Sequence, residues 1–337
     1  MPLLSVILPT FNSELYVAQA ISSVLRQTFC DFELIIVDDH STDLTPKIIG
    51  SFTDDRIQIL RHDRNDGLVK SLNDGVALAS GEYIARMDHD DIADPRRFET
   101  QIDYLKQHPD VGVLGTGIQI MNGQGELGLA YEFPLAHSQI EWAMAFFCPI
   151  AHPTVIMRAA IFNEVGGYSQ EASYAEDYDL WERLIRLTKF ANIPGQFLHL
   201  RKHEQNMTKT WEGAHAQAST LVAQRHINVV LGEKVEIELV RCLRSAGRVD
   251  NNLIADAADL ILDLLAKAKN QFPKEFISEV ERDAALRITM LALYAKKQST
   301  RAKLLYRSHR ISPLASVNLA IRLLRRKSGI GQMRLVG

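Results

Sequence analysis

Between residues 84 and 91 the chain reads Ile84-Ala85-Arg86-Met87-Asp88-His89-Asp90-Asp91. Two carboxylates spaced two residues apart, just beyond a short apolar run, reach the same edge of the sheet that the run joins. Hard divalent cations such as Mg2+ and Mn2+ prefer oxygen ligands and are commonly shared between carboxylates and substrate phosphates. Asp88 and Asp90 are therefore candidate ligands for such an ion beside a phosphate-bearing substrate. Asp94, directly before Pro95, reads as a helix cap, and Asp91 reads as an assistant to that cap.

Four further constellations carry possible chemistry. Val37-Asp38-Asp39-His40-Ser41-Thr42-Asp43 ends an apolar run in two acids, which can accept hydrogen bonds from a base or ribose. Asp39 reads equally well as part of a capping turn, with Ser41 or Thr42 opening a helix and Asp43 in its first turn. Asn65-Asp66-Gly67-Leu68, followed by Lys70, is a glycine turn before a helix. It either sets backbone N–H groups and a cation near phosphate or is a plain turn. Glu176, Asp177 and Asp179 crowd the start of another helix, where acids are stabilising by themselves. A carboxylate at a cleft edge is also what a general base requires. Among His152, His199 and His203, the last lies past the final expected strand and is a candidate for contact with metal or phosphate.

The elements around these residues alternate. Strands are expected at 4–8, 32–37, 57–60, 83–87 and 111–118, with helices at 15–25, 45–52, 68–79 and 95–107 between them. This order implies an α/β fold with a mostly parallel sheet covered by helices on both faces. Ligands of such sheets bind beyond the carboxyl ends of the strands. Asn12, Asp38, Asp39, Asp88 and Asp90 fall at those ends. Residues 122–128 read as a glycine-rich turn. Past Phe133 come a helix at 137–146, a strand at 154–157, a helix at 178–188, and two short strands at 190–193 and 196–200. From about Glu212 the pattern is helical, so the expected domains are 1–210 and 211–337.

Bulk properties fit this reading. A chain of 337 residues with 46% hydrophobic and 23% charged residues has the composition of a globular protein with a core. Its net charge of −3 hides an asymmetry: residues 301–337 hold nine Lys or Arg and no acid, leaving the rest at about −12. Three widely spaced cysteines, Cys30, Cys148 and Cys242, favour a reducing compartment. The start lacks a basic, apolar leader pattern and no run approaches the ~20 apolar residues of a spanning helix, so a cytoplasmic location is expected.

Taken in order, the motifs resemble glycosyltransferase family 2, the large inverting family with the GT-A fold. The matching residues are Ser5 to Asn12, Ile36 to Asp43, Asn65 to Leu68, Asn73-Asp74-Gly75, Gly81 to Ile84, Met87 to Asp91, His152-Pro153-Thr154, Gly166-Gly167-Tyr168 and Glu176 to Trp181. They cover roughly residues 3–205. The resemblance implies a Rossmann-like GT-A domain that moves a sugar from a nucleoside diphosphate sugar, typically UDP-linked, with Mn2+ or Mg2+ as cofactor. By the same resemblance Pro9, Phe11 and Asn12 line the nucleotide pocket, and Asp39 bonds the base, typically at N3 of uracil. Asn65, Gly67 and Lys70 complete the donor side. Asp88 contacts ribose or the metal-linked diphosphate, Asp90 ligates the metal with His203 near it, and Asp177, beside Glu176, is the base. His40 stands where the family most often has glycine. Lys70 stands where arginine is frequent, which keeps the charge but loses the bidentate fork. Two other classes fit less well. A nucleotidyltransferase wants a basic glycine-rich loop after the first strand, which Pro9-Thr10-Phe11-Asn12 is not. A non-catalytic nucleotide-sugar binder has no need to keep Glu176 and Asp177.

In the final third, Leu314 to Lys327 places Leu314, Val317, Ala320, Ile321 and Leu324 on one helical face, with Arg322, Arg325, Arg326 and Lys327 mostly off it. Such a helix either docks on the protein or lies on an anionic membrane surface. The second option suits the lipid-linked or glycan acceptor and the cell-surface polysaccharide role that the resemblance implies, with no nucleic acid partner.

Overall fold

The structure, a computed structural model, describes residues 1–203, 212–244 and 251–313; the expected basic helix at 314–327 lies outside them. The chain divides into two compact units, one of Met1–Ile140 with Cys148–Ala218, the other of Glu141–Phe147 with Ser219–Gly337.

The first unit is built on one sheet. Its strands are β1 (Leu4–Thr10), β2 (Phe32–Asp38), β3 (Ile57–Arg61), β4 (Tyr83–Arg86), β5 (Ile92–Ala93), β6 (Val111–Asn122), β7 (Leu127–Tyr131), β8 (Ile156–Arg158) and β9 (Lys189–Lys202). They lie in the order β3-β2-β1-β4-β8-β6-β9-β5, with β7 paired to β6. The run β3-β2-β1-β4 is parallel. The helices of this region are α1 (Val17–Leu25), α2 (Thr45–Ile49), α3 (Leu68–Leu78) and α4 (Arg97–Gln107).

Both faces of the sheet are covered, which is why β1 is buried along its whole length. Leu4, Val6, Leu8, Leu34 and Ile36 point into one core with Val17, Ile21, Val24, Ile49, Phe98 and Ile102 from α1, α2 and α4. Alternate residues face the other way. A Cβ on Gly75 of α3 would stand 2.6 Å from Ile7 and 3.1 Å from Val37, so α3 lies directly against the opposite face. The strand order reverses between β1 and β4, and this switch point opens a crevice at the carboxyl ends of the strands.

The second half of the sheet is mixed. Strand β8 runs antiparallel to both β4 and β6, β5 runs antiparallel to β9, and β6 pairs parallel with β9. The two strands expected at 190–193 and 196–200 are one 14-residue strand, β9. Its register shifts where Pro194 lacks an N–H and Gly195 turns to a φ of +105, so the local pattern looks like a break while pairing with β6 resumes beyond it. The helix expected at 178–188 begins earlier and ends earlier, as α7 (Glu176–Leu184), after α5 (His137–Ala143) and α6 (Ala159–Glu164). The turn at 122–128 closes a hairpin, because β7 pairs back on β6.

The described part of the second unit consists of α8 (Glu212–Leu231) from Ser219 onward, α9 (Ile237–Arg244), α10 (Ile254–Gln271), α11 (Lys274–Tyr294), α12 (Gln298–Ile311) and the short segment 141–147. That segment is held by side chains: Trp142 Nε1 donates to Asp283 Oδ2 at 2.7 Å, and the Arg287 guanidinium lies 3.6 Å over the Phe146 ring. No helix of the described residues is long and apolar enough to cross a membrane.

Candidate active site

Loops at the ends of β1 and β2 form the first wall of the crevice. They are stitched together: Asn12 N–H donates to Ser41 Oγ at 2.9 Å, Thr42 N–H donates to Asn12 Oδ1 at 2.9 Å, and Ser13 N–H donates to Thr45 Oγ1 at 2.8 Å. The Asn12 amide oxygen is thus spent on the loop, while Phe11 presents an exposed ring. Pro9 is buried within β1 opposite Val37, and its carbonyl lies 3.3 Å from His89 Nδ1. His40 adopts a φ of +63. A positive φ there is a conformation that favours glycine, and the histidine keeps the turn at a cost of about 1–2 kcal/mol. Helix α2 opens at Thr45 and not at Ser41 or Thr42, with Asp43 Oδ1 accepting the Thr45 N–H.

Asp39 closes this wall. Its Oδ1 accepts the Asp66 N–H and lies 2.8 Å from His62 Nδ1, and its Oδ2 accepts the Gly67 N–H at 2.8 Å. Gly67 reaches that position at a φ of +88, which favours glycine. Asn65 Nδ2 approaches the Asp39 carbonyl at 3.5 Å. Asp38, by contrast, is turned inward, accepting the Ser41 N–H on Oδ1 with Arg61 Nε 3.3 Å from Oδ2. Lys70 pairs with Asp74 one turn along α3.

The second wall is acidic. Oxygens of Asp88, Asp90 and Asp91 all lie within 4.8 Å of one another. Burial pushes the Asp88 carboxyl up; Arg86 draws it down through a bidentate pair, and Asp90 pushes it up again. Burial also drives Asp91 well above the carboxylate range, reinforced by Asp88 and Asp90. Asp91 is not a helix cap. It is buried in the cluster, where Oδ1 accepts the Arg201 N–H at 2.8 Å and Oδ2 has no hydrogen-bond partner. Asp94 shapes the entry to α4, accepting the Arg96 N–H, and Gln27 Oε1 accepts the Phe98 N–H in the first turn. The pairing of β5 with β9 brings His203 here, its Nε2 2.9 Å from Asp90 Oδ2. Beneath lies Arg97, wholly buried, donating to the Arg86 carbonyl at 3.0 Å, its guanidinium pushed down to about 9 by burial. Crowded, desolvated carboxylates with an open oxygen are what a hard divalent cation relieves, so the residues fit such an ion.

The third wall is the start of α7. Burial pushes Glu176 up to about 7, with the Asp177 charge adding to the shift, and burial raises Asp177 as well. Asp177 Oδ1 accepts its neighbour's Tyr178 N–H at 2.7 Å, and Cys148 Sγ lies 3.7 Å from Oδ2. Glu176 also feels the charges of Arg86 and Asp88, so this wall and the acidic one share a field. Behind them His152 is buried, 2.8 Å from the Tyr168 hydroxyl and edge-on to Trp181. Asn73 ties that region to α3 through reciprocal bonds to the Tyr168 backbone.

Comparison with known proteins supplies the family. The profile of glycosyl transferase family 2 matches residues 5–165. An uncharacterized glycosyltransferase of Haemophilus influenzae is 33% identical over 249 residues, spanning 71% of this chain and 77% of that protein. The chain belongs to glycosyl transferase family 2. The O-antigen biosynthesis glycosyltransferase WbnJ of Escherichia coli is 32% identical over 214 residues, 62% of this chain and 83% of WbnJ. Among solved structures, S. aureus TarS 1–349 in complex with UDP-GlcNAc aligns with a TM-score of 0.56 at 18% identity, covering 89% of this chain and 88% of that one. At that identity the likeness speaks for the GT-A fold.

In this family 2 glycosyltransferase the sheet edge gathers Asn12, Asp39, Gly67, Asp88, Asp90, Glu176 and Asp177 from five separate loops. Lys70 stands on the first turn of α3 with its charge already paired, and His199 sits at the β5–β9 pairing opposite Ile92. Sequence reasoning passed over Arg86, Arg201 and His62. Arg86 had a readable signal, a lone arginine closing a buried apolar strand, since such a charge needs a partner. Arg201 and His62 had none, because their partners are 110 and 23 residues away.

Proposed function

We propose that this glycosyltransferase is an inverting, metal-dependent enzyme that moves a sugar from a nucleoside diphosphate sugar, UDP-linked, to a hydroxyl of a glycan or lipid-linked acceptor during cell-surface polysaccharide synthesis. The observation that carries the reading is the crowded Asp88-Asp90-Asp91 triad, sharing its field with the Glu176-Asp177 pair, at the sheet edge where Asp39 also stands. The O-antigen role in the name of WbnJ and the UDP-GlcNAc bound to TarS support the substrate class.

In this reading Asp39 bonds the base, while Pro9, Phe11, Asn12, Asn65, Gly67 and Lys70 frame the nucleotide. Asp88 and Asp90, with His203, hold Mn2+ or Mg2+, and the open oxygen of Asp91 lies beside them. Such an ion supplies Lewis-acid neutralisation of the leaving diphosphate. Asp177 takes the proton from the acceptor hydroxyl as that oxygen attacks the anomeric carbon, and Glu176 shares the proton load of the pair. One in-line displacement inverts the anomeric centre. Arg86 offsets the charge of Asp88 and keeps that carboxylate oriented.

The test is product analysis with UDP-sugars and Mn2+. Release of UDP, abolished in Asp177→Asn while donor binding survives, and loss of metal-dependent donor binding in Asp90→Ala, are the expected outcomes. Release of pyrophosphate would point to nucleotidyl transfer, and donor binding without turnover across a broad acceptor panel to a non-catalytic binder. A cytoplasmic enzyme peripheral on an anionic membrane is the reading of the basic segment 313–327. Deleting 313–337 should shift it out of the membrane fraction, and unchanged partitioning would refute that part.

A further inference from the structure

The carboxylate of Asp39 is filled unevenly. Oδ1 already meets two partners, the Asp66 N–H and His62 Nδ1, whereas Oδ2 meets only the Gly67 N–H. A carboxylate oxygen offers two acceptor sites. One acceptor site therefore stays open, and it belongs to Oδ2. His62 creates this asymmetry from an almost enclosed position, with 8% of its side chain exposed. Its backbone N–H is fixed to the Asp38 carbonyl at 2.9 Å. On its far side Nε2 lies 3.1 Å from Asp74 Oδ2, at an angle too bent for a hydrogen bond, and Asp74 is held in turn by Lys70.

We propose that His62 is a positioning and specificity residue of the donor pocket: by occupying Asp39 Oδ1 it leaves Oδ2 as a single, oriented acceptor for a ring N–H of the nucleobase. This rests on the reading of Asp39 as the base contact. The chemistry selects bases by what their ring edge presents. Uracil and guanine carry a ring N–H there, whereas cytosine and adenine carry a lone pair that would face a carboxylate. Without His62 the carboxylate, still held by the Asp66 and Gly67 N–H groups, offers an open acceptor site on each oxygen instead of on Oδ2 alone, and both affinity and discrimination fall.

The test is calorimetric binding of UDP, GDP, CDP and ADP, each with Mn2+, to the full chain and its variants. For His62→Ala we expect UDP binding to weaken about tenfold, the scale of one lost hydrogen bond to a carboxylate, and the preference for UDP over CDP to shrink. In turnover the loss should fall on donor KM and not on kcat. His62→Asn, whose amide can reach Asp39 as Nδ1 does, restores the wild-type pattern; His62→Gln does not. In an Asp39→Asn background, His62→Ala adds no further loss, since the two act as one unit. Wild-type affinity and base preference in His62→Ala, alongside a loss in Asp39→Asn, would overturn the inference alone. Unchanged UDP binding in Asp39→Asn would overturn the reading of Asp39 and the inference together. An equal loss from His62→Ala in both backgrounds would make His62 merely structural.

Discussion

Replacing Glu176 with glutamine should stabilise the metal-free protein at alkaline pH and leave it unchanged at acid pH. Burial, aided by the Asp177 charge, pushes the Glu176 carboxyl from 4.5 to about 7 in the fold. A carboxyl raised in this way binds its proton more tightly folded than unfolded. Between those two values the native state holds more protons, so stability declines as pH rises through the window. At ~1.4 kcal/mol per pH unit the full shift corresponds to about 3 kcal/mol, and sharing the proton with Asp177 brings the working range to about 1–3 kcal/mol. Glutamine carries no charge to bury and removes that slope. For a unit of this size 1 kcal/mol is worth ~2–4 °C, so Glu176→Gln should melt about 2–12 °C above wild type at pH 8 and level with it at about pH 4, below the unfolded value. Thermal melts in chelator from about pH 4 to about pH 8.5 read the difference directly. Parallel curves for the two proteins would refute the buried-pair argument.

Two more outcomes are expected from the same geometry. Arg86→Met leaves the half-buried Asp88 carboxylate without its bidentate partner, and should cost about 1–3 kcal/mol in urea unfolding, largely recovered by adding Asp88→Asn. Gly67→Ala meets no atom within 4 Å, so its cost should be the conformational ~1–3 kcal/mol of a φ of +88 with a ψ of 166, accompanied by a higher donor KM as the Asp39 contact loosens.

Much of the framework was legible because it is encoded locally. The strands β1, β2 and β4 are apolar runs that end in polar residues, and both properties come from neighbours in the chain. The same holds for Asp88 and Asp90, whose spacing alone sends them to one edge. Helix α4 was placed within two residues because the Asp94-Pro95 pair signals its start. Where the reading failed, partners were distant. Residues 189–202 look like two strands until β6 is there to bridge the bend at Pro194-Gly195. Asp91 looks like a cap until Arg201, on the far strand, claims its oxygen. The segment 141–147 looks continuous with its surroundings, yet its Trp142 is satisfied by Asp283.

From residue order alone came the alternation of strand and helix, the edge at which ligands bind, and the acids that stand there, since each depends on local periodicity and on the residues directly after a strand. The parallel-to-antiparallel change in the sheet required the folded chain. So did the pairing of Arg86 with Asp88, the closing of Asp39 by the loop at 65–67, and the raised carboxyl pair at Glu176 and Asp177. These are matters of desolvation and of distance between residues far apart in sequence, and a linear pattern carries neither quantity.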